Sequence, residues 1–180
     1  DKIVFSGVGK TADEMAAALK ANIHCFNVES AAELERLQQV AAELDVKAPV
    51  SLRVNPDVDA KTHPYISTGL KENKFGIDIA QAPAVYRRAA ELSHIDICGV
   101  DCHIGSQITE IGPYQDALQR IVHLVDDLSH EGIVLQHIDI GGGLGICYKE
   151  EKPPLPAELI ELVCQIIPDN HHEILIEPGR

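Results

Sequence analysis

The sequence predicts an α/β fold: a parallel (β/α)8 barrel of the TIM type, here an incomplete portion of about six strands. Three observations point to it. Apolar, β-branched runs alternate with helical patterns along the 180 residues, and strands joined by helices run parallel with right-handed crossovers. Runs such as Ile3-Val4-Phe5 and Ile174-Leu175-Ile176 are apolar at successive positions, which suits strands covered on both faces. Polar residues follow strand after strand: Arg53-Val54-Asn55, Asp101-Cys102-His103, Asp139 with Gly141-Gly142-Gly143, and Glu177-Pro178-Gly179-Arg180. Convergence from many strand ends is what the carboxyl-end face of a barrel provides, whereas a doubly wound sheet concentrates its site in a single crevice.

The elements follow in order. Ile3 to Phe5 reads as a strand, and Thr11-Ala12-Asp13-Glu14 matches a capping box opening an Ala/Leu/Met helix. Ile23 to Val28 is the next strand. Ser30-Ala31-Ala32-Glu33 is a second capping box, after which Leu34, Leu37, Val40, Ala41 and Leu44 recur on one helical face. Val50 to Val54 is a third strand. A polar stretch of 22 residues, Asn55 to Gly76, is far longer than an ordinary connection and marks a possible site loop. A helix near Ala80 to Leu92, a strand in Ile95 to His103, a helix from about Pro113 to Ser129 and a strand in Val134 to Ile140 come next. A helix near Pro156 to Ile167 and a strand in Glu173 to Ile176 complete about six strands and five helices. A closed barrel needs eight strands, so these residues read as a segment of a longer polypeptide with open sheet edges.

Composition narrows the function. The chain is 45% hydrophobic and 24% charged, as a globular domain is. Its 15 basic and 28 acidic residues leave a formal charge of −13, which repels phosphate backbones and anionic lipid and argues against nucleic-acid or membrane partners. No apolar run approaches the ~18 residues of a spanning helix, and the start Asp1-Lys2-Ile3-Val4 lacks a signal pattern, so a cytoplasmic location is expected. The five cysteines, Cys25, Cys98, Cys102, Cys147 and Cys164, are scattered and odd in number, which suits reduced thiols acting as small core hydrophobes.

Four groups could carry chemistry. Gly141-Gly142-Gly143-Leu144-Gly145, after Asp139-Ile140, fits either a backbone cradle for an anion or a tight turn needing positive φ. His103 ends an apolar strand and could act as a base, a metal ligand or a stacking surface, or be structural. Ser106 could donate to a phosphate oxygen or bond its own turn. Glu177 could hold a proton on a heterocyclic nitrogen, and Arg180 could grip a carboxylate or phosphate in two parallel bonds; their mutual salt bridge is the plain alternative. Cys98, Cys102 and His103 do not make a metal site on this reading, because Cys102 and His103 point to opposite faces of a strand. Glu33, Glu35, Glu43, Asp126 and Asp127 read as solvated helix faces.

The blocks Asn55-Pro56-Asp57-Val58-Asp59 through Ser67-Thr68-Gly69, Lys74-Phe75-Gly76, His103-Ile104-Gly105-Ser106-Gln107, Gly141 to Gly145 and Glu177 to Arg180 together resemble the diaminopimelate decarboxylase family. That family belongs to the alanine-racemase-like, fold-type III pyridoxal phosphate enzymes. Order and spacing of all the blocks match, so the resemblance covers essentially the whole chain; single blocks are shared with ornithine and arginine decarboxylases. The resemblance implies a pyridoxal 5'-phosphate-binding barrel over residues 1–180, acting on a small amino acid in a homodimer. It implies that His103 stacks on the pyridine ring, that Glu177 pairs with the ring nitrogen, and that Ser106 with Gly141, Gly142 and Gly143 holds the phosphate. Pro178, Gly179 and Arg180 would complete the cofactor site, Arg180 would also meet the substrate carboxylate, and Arg53 would lie near the ring edge. The implied reaction is loss of one carboxylate from meso-diaminopimelate to give L-lysine. The Schiff-base lysine strand would lie upstream of Asp1 and a C-terminal β domain downstream of Arg180, so the segment alone is expected to be inactive. Another fold-type III decarboxylase of the ornithine or arginine type, a non-catalytic pyridoxal phosphate-binding barrel, and a barrel hydrolase using a metal or a general base at His103 are the competing expectations.

Overall fold

The structure is a computed structural model and describes residues 2–59, 75–168 and 171–179. Its strands are β1 (Val4–Phe5), β2 (Cys25–Val28), β3 (Ala48–Asn55), β4 (Ile77–Asp78), β5 (Ile95–Asp101), β6 (His137–Asp139) and β7 (Glu173–Leu175). The helices are α1 (Ala12–Lys20), α2 (Ala31–Glu43), α3 (Ala82–Glu91), α4 (Gly112–His130) and α5 (Pro156–Ile166). The pairings run β1-β2-β3-β5-β6-β7, all parallel, and β4 pairs with β3 off that path. The short β4 was not anticipated; two residues closing a long loop carry no periodicity to read.

The sheet is curled. Ser6, just past β1, donates from Oγ to Glu177 Oε1, just past β7, at 2.8 Å. In a flat sheet, first and last of six strands at ~4.8 Å spacing would stand about 24 Å apart. The curvature fits part of a (β/α) barrel, and the two sides of the sheet divide accordingly. Phe26, Val28, Val50, Leu52, Val54, Val100, Ile138 and Ile140 face the helices and join one core with Leu34, Leu37, Tyr86, Ile121 and Leu128. The concave side carries Asn27, Ser51, Asp101, His137 and Asp139, all buried. The expectation of strands apolar on both faces therefore fails in the centre, where period-two alternation puts polar groups inside. It also fails at the edges, since β1 and β7 are only partly buried.

Local sequence accounts for the helices. Thr11 caps α1 in a complete box: its side chain accepts from Glu14 N, and the Glu14 carboxylate accepts from Thr11 N. The second box is half made. Ser30 accepts from Glu33 N, but Glu33 bonds Glu29 N and Lys10 Nζ instead of the cap, so Glu33 is no solvated side chain. Leu34, Leu37, Val40 and Ala41 are buried as the spacing requires. β6 is shorter than its apolar run because Val134 lies exposed ahead of it. Among the cysteines, Cys25, Cys98 and Cys102 are buried, whereas Cys147 and Cys164 are exposed and are not core residues. Among the described residues no helix is long and apolar enough to cross a membrane.

Candidate functional site

Parallel strands bring their carboxyl ends to one side of the sheet, and Arg53, His103, the glycine segment and Glu177 lie there. Arg53 lies within β3 rather than after it. Its Nη1 donates to Glu29 Oε1 at 2.7 Å, its Nε stands 3.8 Å from Asp101 Oδ2, and its guanidinium lies 5.8 Å from the Phe75 ring centroid. Asp101 and Asp139 are register partners on β5 and β6, so their carboxyls stand side by side. Asp139 Oδ1 accepts from Gly141 N at 2.8 Å, while Asp139 Oδ2, Asp101 Oδ1 and Glu29 Oε2 are buried without a hydrogen-bond partner among the described residues. Burial first, and then the neighbouring Asp139 charge, push Asp101 well above the usual carboxylate range, against the opposing pull of Arg53. Burial likewise lifts Asp139 to about 6, the Gly141 hydrogen bond opposing it. This acidic layer was only partly legible: Asp101 and Asp139 stood out as strand-end polar residues, but their pairing required the β5–β6 register.

Glu177 leaves β7 and bonds across the basin. Its Oε1 accepts from Ser6 Oγ at 2.8 Å and Asn27 Nδ2 at 3.4 Å, and Asn27 Nδ2 also reaches Ser6 Oγ. Its backbone N donates to Gly141 O at 2.8 Å, tying the two strand exits together. Ser6 and Asn27 carried no motif and were missed. Arg180 and residues 60–74, which include most of the expected site loop, lie outside the described residues.

The glycine segment reconciles its two readings. Gly141 and Gly143 adopt φ of 67° and 91°, so the turn does require glycine. Its packing is equally strict. A Cβ on Gly142 would sit 2.1 Å from Glu177 O, and one on Gly143 would sit 1.9 Å from Gly105 O. The amides are not all free, however. Gly141 N is taken by Asp139, and Gly142 N donates to His103 Nδ1 at 3.3 Å. Gly143 N has no partner among the described residues, and with the exposed Ser106 beside Gly105 it leaves donors for an anion. Tyr114 on α4, also unforeseen, props the loop by donating to Gly142 O at 3.0 Å.

His103 is half-buried between these parts. Burial, and then the Arg53 charge, hold its pKa below the ordinary value, so the imidazole is neutral near pH 7 and presents a flat ring with Nδ1 as acceptor. Cys102 turns into the helix-facing core, opposite His103, as alternation requires. An apolar cleft of about 660 Å³ lies along the glycine segment, lined by Leu144, Ile146, Pro154, Leu159 and Pro178; His103 and Ser106 do not border it.

A parallel barrel portion whose strand exits join a glycine turn to a neutral imidazole and a carboxylate is the framework of a cofactor-phosphate domain. Residues 1–180 match the family described as pyridoxal-dependent decarboxylase, pyridoxal binding domain, and the chain belongs to that family, whose cofactor is pyridoxal phosphate. Within that class it is similar to diaminopimelate decarboxylases. That of Pseudomonas aeruginosa is 62% identical over 179 residues, 99% of this chain and 43% of the relative. That of Vibrio cholerae is 56% identical over 99% of this chain and 43% of its own length. The crystal structure of diaminopimelate decarboxylase from Helicobacter pylori complexed with L-lysine matches with a TM-score of 0.92 at 41% identity, over 98% of this chain and 45% of that one. The arginine decarboxylase of Paramecium bursaria Chlorella virus, at 21% identity and a TM-score of 0.78, shares the fold. The chain thus spans less than half the length of these curated relatives.

Proposed function

We propose that this chain is the cofactor-binding portion of a decarboxylase that converts meso-diaminopimelate to L-lysine. The observation that carries the reading is the convergence of His103, Glu177 and the glycine turn at one set of strand ends, in a chain 62% identical to a diaminopimelate decarboxylase. The residues fit pyridoxal phosphate. A neutral half-buried ring at His103 suits stacking, Gly143 N and Ser106 Oγ suit a phosphate, and an anchored carboxylate at Glu177 suits a protonated ring nitrogen. Arg53, held by Glu29, would face the ring edge, and Pro178, Gly179 and Arg180 would border the phosphate. When bound, the cofactor serves as the electron sink for the carbanion left by decarboxylation. Glu177 would keep the proton on the ring nitrogen, and Ser6 and Asn27 hold that carboxylate in place.

The Schiff-base lysine is expected elsewhere in the polypeptide. The ammonium of Lys10 is committed to Glu33, Gly7 O and Asn27 O at 2.7–2.8 Å, so Lys10 does not serve. A homodimer and a cytoplasmic location belong to the same proposal.

The full-length protein tests it. It should release carbon dioxide and L-lysine from meso-diaminopimelate and leave ornithine and arginine essentially unreacted; preference for either of the latter would overturn the substrate. His103→Ala should lower cofactor retention and turnover together. Glu177→Gln should reduce kcat by roughly 10²-fold or more while leaving the melting temperature nearly unchanged, in line with loss of a positioned charge at the reacting group. Equal losses of rate and stability would make Glu177 structural.

A further inference from the structure

One layer beneath the cofactor basin lies a second cluster, which the proposed function does not use. On the concave face Cys25 precedes Asn27 by two residues, and His137 precedes Asp139 by two, so both sit one step lower along their strands. Cys98 joins them through a backbone irregularity. Val50 pairs with Ile97 and Ser51 with Gly99, leaving Cys98 as the extra residue of a β-bulge. Simple alternation with Gly99 and Asp101 would turn Cys98 toward the helices; the bulge re-aims it inward. Neither Cys25 nor Cys98 belongs to the apolar core, although both are buried. Gly99 contributes space: a Cβ there would fall 2.1 Å from His137 Nε2, so the imidazole is seated over bare backbone.

We propose that Cys25, Cys98 and His137 form a binding site for a soft divalent metal ion, best matched by zinc, with His24 as a candidate fourth donor. Cys25 Sγ and His137 Nε2 are 3.9 Å apart, and the three ligand atoms lie within 4.8 Å of one another. Zinc bonds of ~2.3 Å to sulfur and ~2.0–2.1 Å to nitrogen at a tetrahedral angle place such atoms roughly 3.6 Å apart, so only a small contraction is needed. The fourth donor is suggested by an independent defect: His24 Nε2 is buried with no hydrogen-bond partner among the described residues, and its ring centroid is 5.4 Å from that of His137. That atom is already sealed by this chain, so additional polypeptide cannot satisfy it without rearrangement.

The charges balance. Binding M²⁺ forms two metal–sulfur bonds and at least one metal–nitrogen bond, and releases two thiol protons to solvent. One of these is the proton that Cys98 now shares with Val50 O at 3.1 Å. Two thiolates and a divalent ion sum to zero, which spares the buried site a net charge.

The test uses the full-length holoprotein, loaded with zinc, passed over a chelating resin and analysed for bound metal, and in parallel loaded with cobalt(II). Retention of a single zinc per chain is expected. Cobalt should give a thiolate charge-transfer band and intense visible d–d bands of a tetrahedral site, with two protons released per metal. Cys25→Ser and Cys98→Ser should each weaken binding at least ~10-fold, the loss known even for supporting partners of ligands, while Cys164→Ser should not. If the serine variants fold poorly, the cobalt spectrum and proton count of the unaltered protein still decide. No retained zinc, an octahedral cobalt spectrum, or equal binding by folded Cys25→Ser would overturn the proposal.

Discussion

Asp101 and Asp139 show how a side chain's setting reverses its ordinary behaviour. Both carboxyls hold their protons more tightly in the folded chain than when exposed to water, Asp139 up to about 6 from 3.8. A carboxyl with a raised folded pKa contributes stability fully below its unfolded value and loses it as pH rises through the folded one. Stability from Asp139 therefore declines between about pH 4 and pH 6, and Asp101, raised in the same direction, adds a decline of the same sign. Asp101→Asn keeps the shape, removes one of the two titrations and supplies an N–H beside the unbonded Asp139 Oδ2. It should flatten that decline and raise stability at pH 7 by ~1 kcal/mol, about the worth of one satisfied hydrogen bond. Urea unfolding of the full-length protein across this pH range measures it, and an unchanged slope would refute the pairing. Gly143→Ala is the opposite case. It forces φ of 91° on a residue with a Cβ and drives that Cβ into Gly105 O. The strain alone costs roughly 1–3 kcal/mol, and a weakened phosphate seat should appear as lower pyridoxal phosphate occupancy in an equilibrium titration.

The elements were the most readable scale, and their exceptions have physical causes. Periodicity located every helix because each buries one stripe, as Leu34, Leu37, Val40 and Ala41 do in α2. Glycines, His103 and Glu177 were legible for a similar reason: strand ends and turns leave local signatures. What pairs across the sheet leaves none. Ser6 and Asn27 on Glu177, Tyr114 under Gly142, and the bulge at Cys98 depend on strand order and register, which a single chain does not spell out. The two capping boxes make the same point in energies. Both match S/T-x-x-E, yet Glu14 stays at the surface closing its box, whereas Glu33 pairs with Lys10 at 2.7 Å with both side chains nearly sealed. Thr11→Ala should cost ~1 kcal/mol, as cap losses do. Glu33→Ala should cost about 3 kcal/mol or more, because it strands a buried ammonium. Paired thermal melts of the two variants compare them directly, and equal shifts would mean that Lys10 finds water.

At the scale of the whole molecule, the curled sheet explains how the site assembles and leaves two edge strands open among the described residues. Six strand exits face one basin, but β1 and β7 each have a single strand partner among the described residues and remain partly exposed. Ile3 and Ile176, beside those edges, are 60% and 46% exposed, an apolar surface that a closed barrel would cover. The −13 formal charge opposes association in general, yet it does not pair a strand's open amides and carbonyls. Residues 1–180 expressed alone should therefore self-associate or melt broadly, with dye-binding apolar surface and weak near-ultraviolet dichroism. The full-length protein should instead unfold in a sharp transition that pyridoxal phosphate moves upward by mass action. Calorimetry with sedimentation on both chains separates the cases. A monomeric 1–180 chain with a sharp two-state melt would show that the helix-facing core, from Phe26 to Ile140, suffices to hold the half-barrel without its remaining strands.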